Sequence, residues 1–157
     1  MRLSPAMLAI LLLPTTAVPA AAQSGSVTME GTVLTAIAIT GTDLRFGNVM
    51  ATQSKTVAPA AGGRFDITLA ANAPVSVDYD LPSSLGPQVA VGTWVALYNT
   101  VNDPASAQLV PISGASGTFN TSSATGQMYF WLGAQVTTTN AAPGSYSAPI
   151  TFTLTYN

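Results

Sequence analysis

The sequence predicts an all-β protein built as a β-sandwich. Apolar and polar residues alternate with period 2 over most of the chain. No apolar stripe with the 3.6-residue helical period appears after Gln23. Gly, Pro and Asn clusters separate the alternating runs at the spacing typical of sandwich strands. About seven or eight strands are expected on that pattern.

The first run sets Val27, Met29, Gly31, Val33, Thr35, Ile37 and Ile39 on one side and stops at Gly41, Thr42 and Asp43. A short strand over Leu44, Arg45 and Phe46 closes at Gly47 and Asn48, and residues 51–63, rich in Ala, Pro and Gly, read as a loop. Phe65, Ile67 and Leu69 share one face of the next strand. A turn over residues 71–74 leads to Val75, Val77, Tyr79 and Leu81, and residues 82–87 form another turn. Residues 89–98 are an apolar strand interrupted by Gly92, which predicts a bulge or bend. Residues 108–112 and 118–120 are short strands, and residues 127–136 place Met128, Phe130, Leu132, Ala134 and Val136 on one side. Tyr129 and Trp131 make that strand apolar on its other side too, which points to burial or a subunit contact. After the turn at Pro143 and Gly144, the last strand alternates through Tyr146, Ile150, Phe152, Leu154 and Tyr156. Thr151, Thr153 and Thr155 mark its solvent side.

The start of the chain has the three parts of a secretory signal peptide. Arg2 gives a positive start, residues 6–13 an apolar stretch, and residues 20–22 a small-residue cleavage site. The apolar stretch is far short of the roughly 20 residues that span a bilayer, so no membrane insertion is expected. Cleavage before Gln23 leaves 135 of the 157 residues, enough for one domain with a real core. The remaining cations are Arg45, Lys55 and Arg64, set against six acids. A mature net charge of −3 offers no electrostatic footprint for nucleic acid. So neutral and polar a surface suits a protein that packs against copies of itself.

The chain has no cysteine and no histidine. Packing and strand pairing alone must hold it, and neither thiolate or imidazole ligands nor a histidine base can be drawn from it. Asp66, Asp78, Asp80 and Arg64 would meet on a solvent face if a hairpin centred on Asn72, where no cleft perturbs a carboxylate. The hydroxyl residues have no base near them in sequence, and Lys55 stands alone in a loop. No catalytic residue, metal site or cofactor is assigned, and the chain is not expected to be an enzyme. Trp94 and Trp131 read as core residues, or alternatively as a sugar-binding platform.

The two ends carry the most information. The alternating segment over residues 25–31 precedes the body of the domain, and an apolar alternation runs up to Asn157. The segment Gly25 to Ile39, GSVTMEGTVLTAIAI, resembles the N-terminal extension of type 1-like pilins of the chaperone–usher class. Gly144, Ser145 and Tyr146, followed by Phe152 through Asn157 with a tyrosine one residue from the end, resemble the pilin last strand. Leu44 through Val49 is similar to a segment of related pilin-like and spore-coat-U-like secreted domains. Residues 82–125 match no known pattern. Pilins of the type 1 kind usually carry a first-strand disulfide, and Ile37 stands about where that cysteine would be.

The resemblance implies an immunoglobulin-like β-sandwich that is incomplete and is completed by a donor strand. It divides the chain into a signal peptide (1–22), a donor-strand extension (23–32) and a pilin-like domain (33–157). Val27, Met29, Gly31 and Val33 would enter a neighbouring subunit, and Ile150, Phe152, Leu154, Tyr156 and Asn157 would form the groove edge that a chaperone reads. The implied partners are identical or related subunits in a homopolymer, a periplasmic chaperone and an outer-membrane usher, with the fibre displayed at the cell surface. The residues suit that role. In extended chain Val27, Met29 and Val33 point one way, and burying each contributes roughly 1.5–3 kcal/mol. Each new ladder hydrogen bond adds about 1 kcal/mol net. Gly31 in mid-strand weakens pairing unless another backbone approaches closely there. The competing expectation is an ordinary first strand in a closed, monomeric, secreted sandwich that binds a surface glycan or protein.

Overall fold

In the computed structural model of the chain, which describes residues 31–112 and 114–157, the alternating runs become strands paired throughout in antiparallel fashion. The strands are β1 (Ala38–Thr42), β2 (Ser54–Val57), β3 (Gly63–Thr68), β4 (Pro74–Asp80), β5 (Ser84–Gly86), β6 (Val89–Asn99), β7 (Gln108–Val110), β8 (Ser116–Ser122), β9 (Gln127–Thr138) and β10 (Thr151–Tyr156). Val33–Asn157 makes one compact unit.

The larger sheet runs β1-β3-β9-β6-β5, with β2 also on β9 and β7 also on β6. Strand β9 is its axis. Its first half pairs with β3 (Phe65 opposite Phe130), its second half with β2 (Val57 opposite Ala134), and its other side with β6. The smaller sheet runs β10-β4-β8, with Val77 between Leu154 and Phe119.

Inward residues of both sheets make one core. Ile67, Met128, Phe130 and Leu132 come from the larger sheet and Val75 and Val77 from the smaller. Phe130 is the bridge: its ring lies 5.0 Å from Tyr98, 5.7 Å from Phe119 and 5.7 Å from Phe152. A second apolar cluster over Val89, Val91, Ala134, Val136 and Ala141 fills one end of the larger sheet.

Trp131 is buried on the outer face of β9 beside half-buried Tyr129, their rings 6.0 Å apart. The chain between β2 and β3 crosses β9 there, through a 3-10 turn at Pro59–Ala61. The crossing is so close that only glycine fits. A Cβ at Gly133 would stand 2.5 Å from the Val57 oxygen, and one at Gly62 only 1.9 Å from the Leu132 oxygen. A neighbouring 3-10 turn, Pro104–Ser106, is capped by Asp103, whose side chain accepts from the Ala105 N–H. The Ser106 hydroxyl and then the Ala105 N–H hold the Asp103 carboxyl below its ordinary value.

Several expectations need correction. The first strand begins at Ala38, and residues 31–37 join no ladder. Leu44, Arg45 and Phe46 form no strand; Leu44 and Phe46 pack into the second cluster from irregular chain. The loop expected over 51–63 contains β2, and the turn over 82–87 contains β5. Both were hidden because few of their residues are apolar. The last strand begins at Thr151 rather than Tyr146. The hairpin centred on Asn72 does not exist, because β3 and β4 belong to different sheets. Asn72 takes the left-handed conformation (φ 60°) at the corner between them, which Asn tolerates better than most residues. Asp66 therefore lies opposite Thr40 and Tyr129 and pairs with Arg64 at 2.6 Å, whereas Asp78 sits between Thr153 and Thr118 and accepts from the Thr118 hydroxyl. The bulge expected at Gly92 is present, since the β6–β9 register shifts between Gly92 and Val95.

In β10 the threonines face out and Phe152, Leu154 and Tyr156 face in, half-buried. Leu154→Ala should cost about 2 kcal/mol, toward the low end for a buried leucine because the site is partly open. Thr153→Lys should change stability by less than about 0.5 kcal/mol. Urea midpoints of the two variants check this: equal losses would mean that β10 does not present one face to the core.

Candidate functional site

Two strand edges face each other across the same side of the sandwich without a ladder between them. Among the described residues β1 pairs only with β3, and β10 only with β4. Both present inward side chains that the fold leaves incompletely covered. Ile39 lies opposite Ile67 and shares its inward side, yet Ile39 is 38% exposed and Ile67 only 1%. Ile37, Ile150, Phe152, Leu154 and Tyr156 reach the main core but remain only partly buried. In a closed sandwich, inward positions of this kind would be covered by the neighbouring strand.

The seam is bridged at two points. In its middle Phe65 and Phe152 stack with ring centres 4.7 Å apart. A Cβ on Gly41 would meet the Phe65 ring at 3.3 Å, so this level is already filled. At one end the Tyr156 hydroxyl accepts from the Ala70 N–H and donates to the Thr35 carbonyl, both at 2.7 Å. That hydroxyl ties the chain entering β1 to the corner between β3 and β4.

At the other end the seam opens into a cavity of about 1020 Å³. Residues 41–51 form one wall and residues 141–150 the other, with Val91 and Trp94 among the lining residues. Leu44, Phe46, Trp94 and Tyr146 line it while only partly buried. On the first wall an exposed Arg45–Asp43 pair lies at 2.6 Å, and Lys55 donates to the Asn48 carbonyl at 3.3 Å. In the second, Tyr146 donates to the Ala142 carbonyl at 2.7 Å, and its ring leaves no room for a Cβ at Gly86.

Of the residues singled out from the sequence, Ile150, Phe152, Leu154 and Tyr156 form one inward row along this seam. Asn157 stands outside the row, its backbone N–H donating to the Pro74 carbonyl and its side chain to Asn120. Val33 is 98% exposed, and no atom of the described residues stands within 4 Å of where a Cβ on Gly31 would be. Val27 and Met29 lie outside the described residues. Nothing in the sequence marks the opposing residues Ile37, Ile39 and Phe65, or the cavity beyond them, as a site. Their alternation was visible in the sequence, but nothing there says that an edge lacks a neighbour.

Trp94 and Trp131 do not make a joint platform. Trp94 packs with the second cluster on the inner side of the larger sheet, and Trp131 is buried on its outer side. Among the described residues no group of three or more metal-ligating side chains comes together. Comparison with family models, with curated proteins and with solved structures finds no match.

Proposed function

We propose that this chain is a structural subunit of a surface fibre, exported through the periplasm and assembled by donor-strand exchange. The observation that carries the reading is the seam: two facing edges, β1 and β10, with inward apolar residues only half covered. A strand laid between them would complete an immunoglobulin-like sandwich. It would pair the free backbone groups of an edge and cover Ile39, Leu154 and the cavity walls, which is recognition by strand addition. The chain contains a suitable donor in Val27, Met29, Gly31 and Val33, alternating up to the first residue of the domain. An uncovered apolar edge is also an aggregation hazard, which fits a periplasmic chaperone that holds the seam until an outer-membrane usher delivers the next subunit.

The test is electron microscopy of cell surfaces with antibody against this chain, combined with electrophoresis of unboiled extracts. Labelled fibres and a regular ladder of oligomers are expected. A monodisperse secreted monomer, with no fibre and no ladder, would overturn the reading and favour a closed sandwich.

A further inference from the structure

The inner face of β10 does not stop where its ladder stops. From 145 to 156 every even-numbered residue is half-buried and every odd-numbered one is exposed, the pattern of one continuous strand. Only Thr151–Tyr156 has a partner in β4. Among the described residues, the backbone of 145–150 makes no ladder, although Tyr146, Ala148 and Ile150 point inward as regularly as Phe152 and Leu154 do. Opposite it, across the 1020 Å³ cavity, Leu44 and Phe46 point inward from chain that likewise carries no ladder. Two strand-patterned segments that join no ladder among the described residues thus form two walls of one cavity.

We propose that residues 145–150 are a latent half of β10, which gains its ladder only when a guest strand enters the cavity. The guest is residues 23–33 of a second copy, so the inference rests on the fibre reading. Length supports this occupant. Strand β10 alone is six residues, about 20 Å at the usual rise per residue. The guest's eleven residues extend to roughly 36 Å. Pairing with β10 alone would leave almost half of that segment unused, whereas β10 together with 145–150 offers twelve residues of edge, in which only Pro149 lacks an N–H to donate. The cavity also supplies room that the filled Phe65–Phe152 level does not.

Hydrogen–deuterium exchange on the mature chain, with and without a synthetic peptide of residues 23–33, tests this, with a scrambled peptide as control. Exchange should slow about tenfold or more over both 145–150 and 151–156 when the peptide binds, because new ladder bonds must open before exchange. Binding with slowed exchange over 151–156 alone would overturn the latent half while leaving the fibre reading in place. A peptide that does not bind, or that protects only the β8 edge at 116–122, would overturn both.

Discussion

On the donor-strand proposal, the Gly31→Ile chain should accumulate as soluble subunit and form no ladder of polymer. Gly31 stands outside the compact unit Val33–Asn157, so isoleucine there is expected to leave the fold of that unit undisturbed. Within a neighbour the same residue would meet the seam. The seam is filled in its middle by the stacked Phe65 and Phe152 rings, 4.7 Å apart. Placing a branched side chain over packed rings typically costs about 1–3 kcal/mol, repeated at every junction of a fibre. Soluble subunit and unboiled polymer, measured on one gel for wild type and variant, check this. Polymer at wild-type abundance would remove Gly31 from the contact. Loss of soluble subunit together with polymer would place Gly31 inside the domain's own fold instead.

The second large effect belongs to the core. Phe130→Ala should lower stability by about 3–5 kcal/mol, the range for deleting a fully buried aromatic ring. Phe130 has no exposed surface, and its ring touches aromatic neighbours from both sheets. A domain of this size is stable by only about 5–15 kcal/mol in total, so the variant should stand close to unfolding. Tyr129→Ala, one residue away on the outer face and half-buried, is the control and should lose clearly less. Chemical denaturation of the two, read as midpoints at a shared slope, decides it. Equal losses would mean that the outer cover over β9 matters as much as the interior.

Much of the fold was legible in the sequence because half-buried strands write their two faces into alternate residues. The inward rows of β4, β9 and β10 could be read from Val75 and Val77, from Met128 and Phe130, and from Phe152 and Leu154. The bulge after Gly92 was legible too. What failed has a common cause. Strands β2 and β5 are short and largely polar, so no apolar periodicity marks them. Conversely, Leu44 to Phe46 and Tyr146 to Ile150 have the right periodicity and no ladder among the described residues. Periodicity reports which way side chains point and is silent on whether the backbone has a neighbour. The hairpin at Asn72 failed for a related reason, since a turn between two alternating runs looks the same whether the runs pair or part into separate sheets. The seam was legible only as far as its β10 side, because facing edges come from chain more than one hundred residues apart.

The central place of β9 bears on the order in which the chain can fold. Strand β2 pairs only with residues 127–138, β3 and β6 each take their second or central neighbour there, and β4 obtains its partners only from residues 116–122 and 151–156. A chain emerging from its N-terminus can pair β1 with β3 and β6 with β5 and β7, but it can complete neither sheet until its last third has appeared. Pairings this distant in sequence form slowly, since long loops must close before any contact compensates for them. Folding should thus be completed late, with most of a growing chain lacking its full set of neighbours for as long as its C-terminal strands are missing.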